Sequence, residues 1–157
     1  MKLWRIASTA RTHAPDDLSG RGAAAHPGRW NDIGQHVVYA SPNLALAVLE
    51  TAAHIDDRGL PLNRYVVSIE IPVDLWKKRE RLAADTLPAG WDAIPHGMVS
   101  IRAGGRWYDG ARAVLLEVPS VIVPEESNVL INAVHPDAQR LVPKVLRRFD
   151  YNALFRR

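Results

Sequence analysis

Gly28-Arg29-Trp30-Asn31 sets a planar guanidinium beside a glycine. Five N–H donors in a fixed fork fit phosphate or carboxylate oxygens, and glycine lets a second group come close. The same residues also read as a surface loop in which Trp30 packs and Arg29 pairs with a nearby Asp. Tyr39 closes a short β-branched run, and Glu50 follows eleven residues later in ALAVLETAA, where almost no other polar group occurs before His54. A turn between the two would bring both to one cleft. An apolar setting raises a carboxyl pKa unless a cation or hydrogen bond holds the group ionised, whereas on the polar side of its helix the same Glu is an ordinary solvated residue.

Ser127, Asn128 and Asn132, in PEESNVLIN, can serve a ligand or simply cap a turn. His135, ahead of Pro136, reads as a general base or as a loop His bonded to backbone. The six His residues show no H-E-x-x-H spacing, so no metal site is expected. No G-x-S-x-G elbow supports a serine hydrolase. The chain has no Cys, which excludes a disulfide framework, a thiolate metal site and a Cys nucleophile together. Gly-Arg-Trp recurs once, in GGRWYD at 104–109 against PGRWND at 27–32. The copies sit in unlike neighbourhoods, a Gly-rich loop and the end of a weak helix, and read as coincidence rather than as a repeat.

The elements that must position these groups follow from periodicity. LWRIAS (3–8) reads as a strand, and the stretch to about 35 has no period and reads as a long loop, a common home of function. HVVYAS (36–41) is a strand. Ser41 as N-cap, with Pro42 at the first helical position, opens a helix over 42–54. RYVVSIEIP (64–72) is a second long strand ending at Pro72. Short helices are expected around Leu75, Trp91 and Met98. ARAVLLEVP (111–119), SVIVP and NVLIN follow as strands, and a short helix and closing strand complete the tail. A single strand–helix–strand passage could be a crossover. Strands outnumber convincing helices, which predicts an α+β fold with a mixed or antiparallel sheet.

The 157 residues suit one domain, 1–157, able to bury roughly two-thirds of its unfolded surface. Apolar residues at 47% and charged residues at 24% exclude wholesale disorder. A net charge of +3 is weak support for a direct nucleic-acid partner. The basic runs, Lys77-Lys78-Arg79 with Arg81, and the tail Arg147, Arg148, Arg156 and Arg157, read as solvated faces. With neither a signal peptide nor a membrane span in view, a cytoplasmic protein is expected.

In order, WRI, GRWN, VVYAS, ALAVLE, VPSVIVPEESNVLIN and His-Pro resemble the RES domain family, named for its Arg, Glu and Ser, over nearly the whole chain. The resemblance implies a fold similar to ADP-ribosyltransferase toxins and the toxin half of a type II toxin–antitoxin pair, with NAD as substrate and no metal. It implies cleavage of NAD at the nicotinamide–ribose bond by hydrolysis or phosphorolysis. The alternatives are mono-ADP-ribosylation of a host protein such as phosphoribosyl pyrophosphate synthetase, or a non-catalytic partner-binding module of the same fold. The implied partner is an Xre-like helix-turn-helix antitoxin that covers the active site. Residue by residue, Arg29, Tyr39, Glu50 and Ser127 match the family's site positions, Arg5 and Asn128 are further candidates for NAD contacts, and Arg106 matches a structural segment. Pro27-Gly28 replaces a common Gly-Gly, and Asn132-Ala133 a common Asn-Pro; both bear on loop geometry and remove no chemical group.

Such a site would work on a bond that loosens into an oxocarbenium-like transition state. Glu50 would stabilise the ribose cation, Arg29 with Arg5 would hold the pyrophosphate, Tyr39 would stack on the nicotinamide or its ribose, and Ser127 would bond that ribose or orient the acceptor.

Overall fold

The computed structural model describes residues 1–155, so Arg156 and Arg157 of the expected basic tail lie outside the described residues. Among the described residues seven strands and five α-helices alternate irregularly, and the fold is α+β. Strands β1 (Lys2–Ser8), β3 (Arg64–Glu70) and β7 (Val142–Phe149) form an antiparallel sheet in the order β1-β3-β7. Strands β2 (Val37–Ala40), β4 (Glu80–Arg81), β5 (Leu115–Pro119) and β6 (Ser127–Asn132) form a mixed sheet in the order β2-β6-β5-β4. Its one parallel pair is β4 with β5.

The two sheets face each other through Leu3, Val67 and Ile69 on one side and Val38, Leu115, Val129 and Ile131 on the other, all buried. Helix α2 (Leu44–Ala52) covers the outer face of the three-stranded sheet, with Leu44, Val48 and Ala52 against Ile6 and Val66. Helix α4 (Met98–Gly110) covers the outer face of the mixed sheet, where Ala103 and Trp107 pack with Leu116, Val118 and Leu130. Two apolar strand faces per sheet leave period-2 patterns weak, which is why strands such as β5 read as continuous apolar runs.

Several expectations are corrected. Asn43, not Ser41, caps α2: its extended backbone lets the side-chain oxygen accept from the Leu46 N–H at 2.8 Å. Ser41 instead bridges to Trp4 through two backbone hydrogen bonds of 2.8 Å. No helix forms around Trp91, because Pro88, Gly90 and Pro95 break that stretch into turns. SVIVP is a turn, with the Ser120 hydroxyl accepting from the N–H groups of Ile122 and Val123. The long first loop contains a short helix, α1 (Arg21–Ala25). The passage β2-α2-β3 joins different sheets, and the parallel crossover is β4-α4-β5 instead. The remaining short helix, α3 (Val73–Lys77), falls around Leu75 as expected. The tail forms a 3-10 turn (136–140), β7 and α5 (Asn152–Phe155). Among the described residues no helix is long and apolar enough to cross a membrane.

Candidate active site

The Trp4–Ser41 bridge pins β1 to the end of β2, and past it the two strands pair with different sheets. Between them lies a cleft of about 510 Å³, walled by β1 (Arg5, Ser8), β2 (Tyr39), Ser41 just beyond it, α2 (Glu50, Thr51), Asn128 and the segment from Thr12 to Ala23. Its volume falls within the range of small-molecule sites.

Glu50 is half-buried on α2. Its Oε1 accepts from the Ser120 hydroxyl at 2.6 Å and from the Asn128 side-chain amide at 2.7 Å. Asn128 is itself oriented, because the Ser41 hydroxyl donates to its Oδ1 at 2.7 Å. Ser120 is saturated on its acceptor side by two backbone N–H groups, so its single proton goes to Glu50. Three chain segments, at Ser41, Ser120 and Asn128, thus fix one carboxylate oxygen carried by α2, and Oε2 has no protein hydrogen bond among the described residues.

Tyr39 lines the cleft while its hydroxyl serves the neighbouring loop, accepting from the Trp30 N–H at 3.1 Å and donating to the Asn31 Oδ1 at 2.7 Å. Burial pushes the Tyr39 phenol well above its ordinary value, against opposing effects of the Trp30 N–H and Arg29. Asn31, fully buried, also accepts from the Gly28 N–H and donates to the Ala23 and Asp32 carbonyls. A Cβ on Gly28 would lie 2.6 Å from the Tyr39 hydroxyl, so the glycine is needed for this contact.

Arg29 donates from Nη1 to the carbonyls of Trp91 (3.0 Å) and Ala93 (2.9 Å), and the Trp30 and Trp91 rings stack with centroids 5.9 Å apart. Burial lowers the Arg29 pKa, opposed by Asp92, Glu50 and Tyr39. Its guanidinium therefore stands near Glu50 without an ion pair to it, and it is not part of the cleft wall.

Arg5 is in that wall. Its Nε is buried with no hydrogen-bond partner, and Nη1 makes one long bond, 3.4 Å, to the Asp17 carbonyl. Burial lowers its pKa, with Asp17 opposing. An under-satisfied buried guanidinium is what an anionic ligand would complete.

Of the expected site residues, the structure brings Arg5, Tyr39, Glu50 and Asn128 to one cleft, with Arg29 beside it. Ser127 stands at the start of β6 opposite Pro119, outside the cleft wall. Strand alternation puts it on the Val129 face, opposite to that of Asn128. His135 caps the 3-10 turn, its ring accepting from the Asp137 N–H. Asn132 bonds the Tyr108 carbonyl and the Val134 N–H. Sequence reasoning missed Ser120 and Ser41 as orienters of Glu50 and Asn31 as the loop's staple. Ser120, next to Pro119 in a segment read as strand, carried a turn signal. Among the described residues no three His, Asp or Glu side chains converge as a metal site.

The second Gly-Arg-Trp copy also bears on the site. Trp30 and Trp107 share one buried cluster, and Gly104 packs directly on the backbone of Trp30, where a Cβ would fall 1.8 Å from the carbonyl oxygen. Arg106 is exposed.

The two facing sheets meet at a cleft that holds an anchored carboxylate, Glu50, and a buried, under-satisfied guanidinium, Arg5, which makes this an α+β protein with a polar site at the sheet junction. The RES domain model matches residues 2–152, and the chain belongs to that family. It is 51% identical over 150 residues to the "Prs ADP-ribosylating toxin" of Sphingobium sp. (strain YBL2), covering 96% of this chain and 93% of that protein. It is 34% identical to a "Toxin Res" of Photorhabdus laumondii, over 96% of this chain and 93% of that protein. A "Toxin Res" of Pseudomonas putida is 38% identical over 88% of this chain and 89% of its own length. The chain is a toxin of the RES family.

Proposed function

We propose that this toxin breaks the nicotinamide–ribose bond of NAD. The observation that carries the reading is Glu50, anchored through Oε1 alone and retaining Oε2 for a ribose hydroxyl. As the C–N bond lengthens, positive charge gathers on the ribose and the carboxylate attracts it more strongly than in the ground state, which accelerates the step. Nicotinamide departs neutral with the bonding pair, and an acceptor O–H or N–H adds to the ribose carbon and sheds its proton. Arg5 takes the pyrophosphate in the cleft, Arg29 adds positive charge on the Glu50 and Tyr39 side, and Tyr39 offers its ring face to the nicotinamide end. Ser127 enters this scheme only by orienting an acceptor from outside the cleft wall.

A second reading concerns the acceptor. The 51% identity to a toxin named for ADP-ribosylating Prs favours transfer to a protein, a Prs homologue first, over water or phosphate. The partner that restrains the toxin is an Xre-like antitoxin seated over this cleft, and the compartment is the cytoplasm.

Proton NMR of NAD with the purified protein, with and without phosphate and a Prs protein, tests this. Free nicotinamide that disappears in Glu50→Gln is expected, and labelled ADP-ribose on Prs identifies transfer. No nicotinamide under any of these conditions leaves a non-catalytic binding module.

A further inference from the structure

Two carboxylates line the 510 Å³ cleft, Glu50 and Asp17, and Arg5 belongs to the same wall, its Nη1 meeting the Asp17 carbonyl. Resting on the NAD reading, the geometry points to Asp17 as the residue that binds the adenosine-side ribose and selects NAD over NADP. The dinucleotide carries two riboses and a diphosphate, and the cleft wall supplies two carboxylates and a guanidinium.

Asp17 is prepared for that role. Its Oδ1 accepts from the Ser19 N–H at 2.7 Å, which fixes the side chain. It is half-exposed, as a ligand-facing group must be. Burial works against its charge, but the Ser19 hydrogen bonds together with Arg21 and His13 outweigh it and keep its pKa below the ordinary value. A carboxylate accepts from ribose hydroxyls, as acidic residues do in dinucleotide folds of other architecture. A 2′-phosphate offers no such donors and brings like charge into contact.

Arg21 supplies the competing attraction for a phosphate, and part of its positive field is already directed at the Asp17 carboxylate.

The test compares nicotinamide release from NAD and NADP by the wild type, Asp17→Asn and Asp17→Ser. The wild type is expected to prefer NAD, and both variants to reduce the ratio of kcat/KM values by about ten- to a hundredfold, the size of a charged hydrogen bond. Asn retains an acceptor for the Ser19 N–H, which guards the local fold. Binding of ADP-ribose and 2′-phospho-ADP-ribose to the Glu50→Gln protein gives a readout independent of turnover, with the same preference expected. An unchanged ratio in the variants overturns the assignment, and a wild-type preference for NADP overturns it in favour of Arg21. Nicotinamide release from neither dinucleotide, with no binding of either ADP-ribose, would instead sink the NAD reading on which the assignment rests.

Discussion

Replacing Gly104 by Ala asks one methyl group to occupy space already held by backbone. The new Cβ would stand 1.8 Å from the Trp30 carbonyl oxygen, 2.8 Å from its carbon and 3.0 Å from the Trp30 Cβ. None of these atoms can rotate away, so α4 and the Arg29 loop must part by more than an ångström. Overpacking of this kind costs about 1–3 kcal/mol, against which Ala in a helix recovers about 1 kcal/mol. Gly105→Ala is the internal control: its Cβ would meet only the Gln35 side-chain amide, at 3.3 Å. That flexible end can yield, leaving the helix-propensity gain of up to about 1 kcal/mol in Ala's favour. Neighbouring identical substitutions should thus differ in sign. In thermal denaturation, Gly104→Ala should lower Tm by several degrees at about 2–4 °C per kcal/mol, and Gly105→Ala should hold or raise it. Nicotinamide release should fall in Gly104→Ala beyond any unfolded fraction, since the displaced Trp30 carries the N–H that bonds Tyr39. Equal stability and activity of the two variants would refute the packing argument.

Ser120→Ala removes one of two donors to Glu50 and orphans two backbone N–H groups, so turnover should fall by about ten- to a hundredfold in steady-state assays. Ser127→Ala should retain more activity, and the reverse order would place Ser127 in the chemistry after all. Tyr39 has a folded pKa raised by burial above its unfolded value near 10, so its contribution to stability is complete below about pH 10 and is lost as pH rises further, by up to about 1.4 kcal/mol per unit. Alkaline denaturation of Tyr39→Phe should lack that slope, though the variant starts about 1–3 kcal/mol less stable for want of a partner to the Trp30 N–H. Burial pushes the Glu117 carboxyl up, but hydrogen bonds and charge from Arg79 and Arg81 outweigh it and hold it below its ordinary value. Its stabilisation is therefore present above the ordinary carboxylate range and lost as pH falls through the lowered value; Glu117→Gln should flatten that part of an acid-unfolding profile.

The sequence carried the α+β class, the positions of β1, β2, β3 and β6, and four side chains that share one cleft, Arg5, Tyr39, Glu50 and Asn128, but not the place of Arg29 and Ser127 outside its wall. Local patterns sufficed there because runs of β-branched and apolar residues mark buried strands and Glu50 interrupts an otherwise apolar helix. What it hid was tertiary. The hexapeptides PGRWND and GGRWYD are 77 positions apart in the chain and touch in space, with Gly104, which leads the second, against Trp30 of the first. Gly104 and Gly105 lower helix propensity, so α4 read as weak, although those glycines admit the Arg29 loop and the buried contact repays the loss. Ser120 was read within a strand because Val and Ile flank it; only the folded chain shows its hydroxyl closing a turn and reaching an α-helix 70 residues away in sequence.

The donors to Glu50 are neutral, a hydroxyl and an amide, and no arginine among the described residues forms an ion pair with it. That choice suits the proposed chemistry. A bidentate guanidinium would hold the carboxylate more firmly and cancel the charge that a developing ribose cation needs. Ser120 and Asn128 orient the group at smaller electrostatic cost, while Arg29, close enough to feel Glu50, is held off by the carbonyls of Trp91 and Ala93. Those carbonyls belong to the segment whose Trp91 ring stacks on Trp30, and Trp30 in turn rests on Gly104. Positioning of the charge beside Glu50 is therefore traceable, contact by contact, to the second Gly-Arg-Trp copy on α4, which lies outside the cleft and supplies the surface on which the first is set.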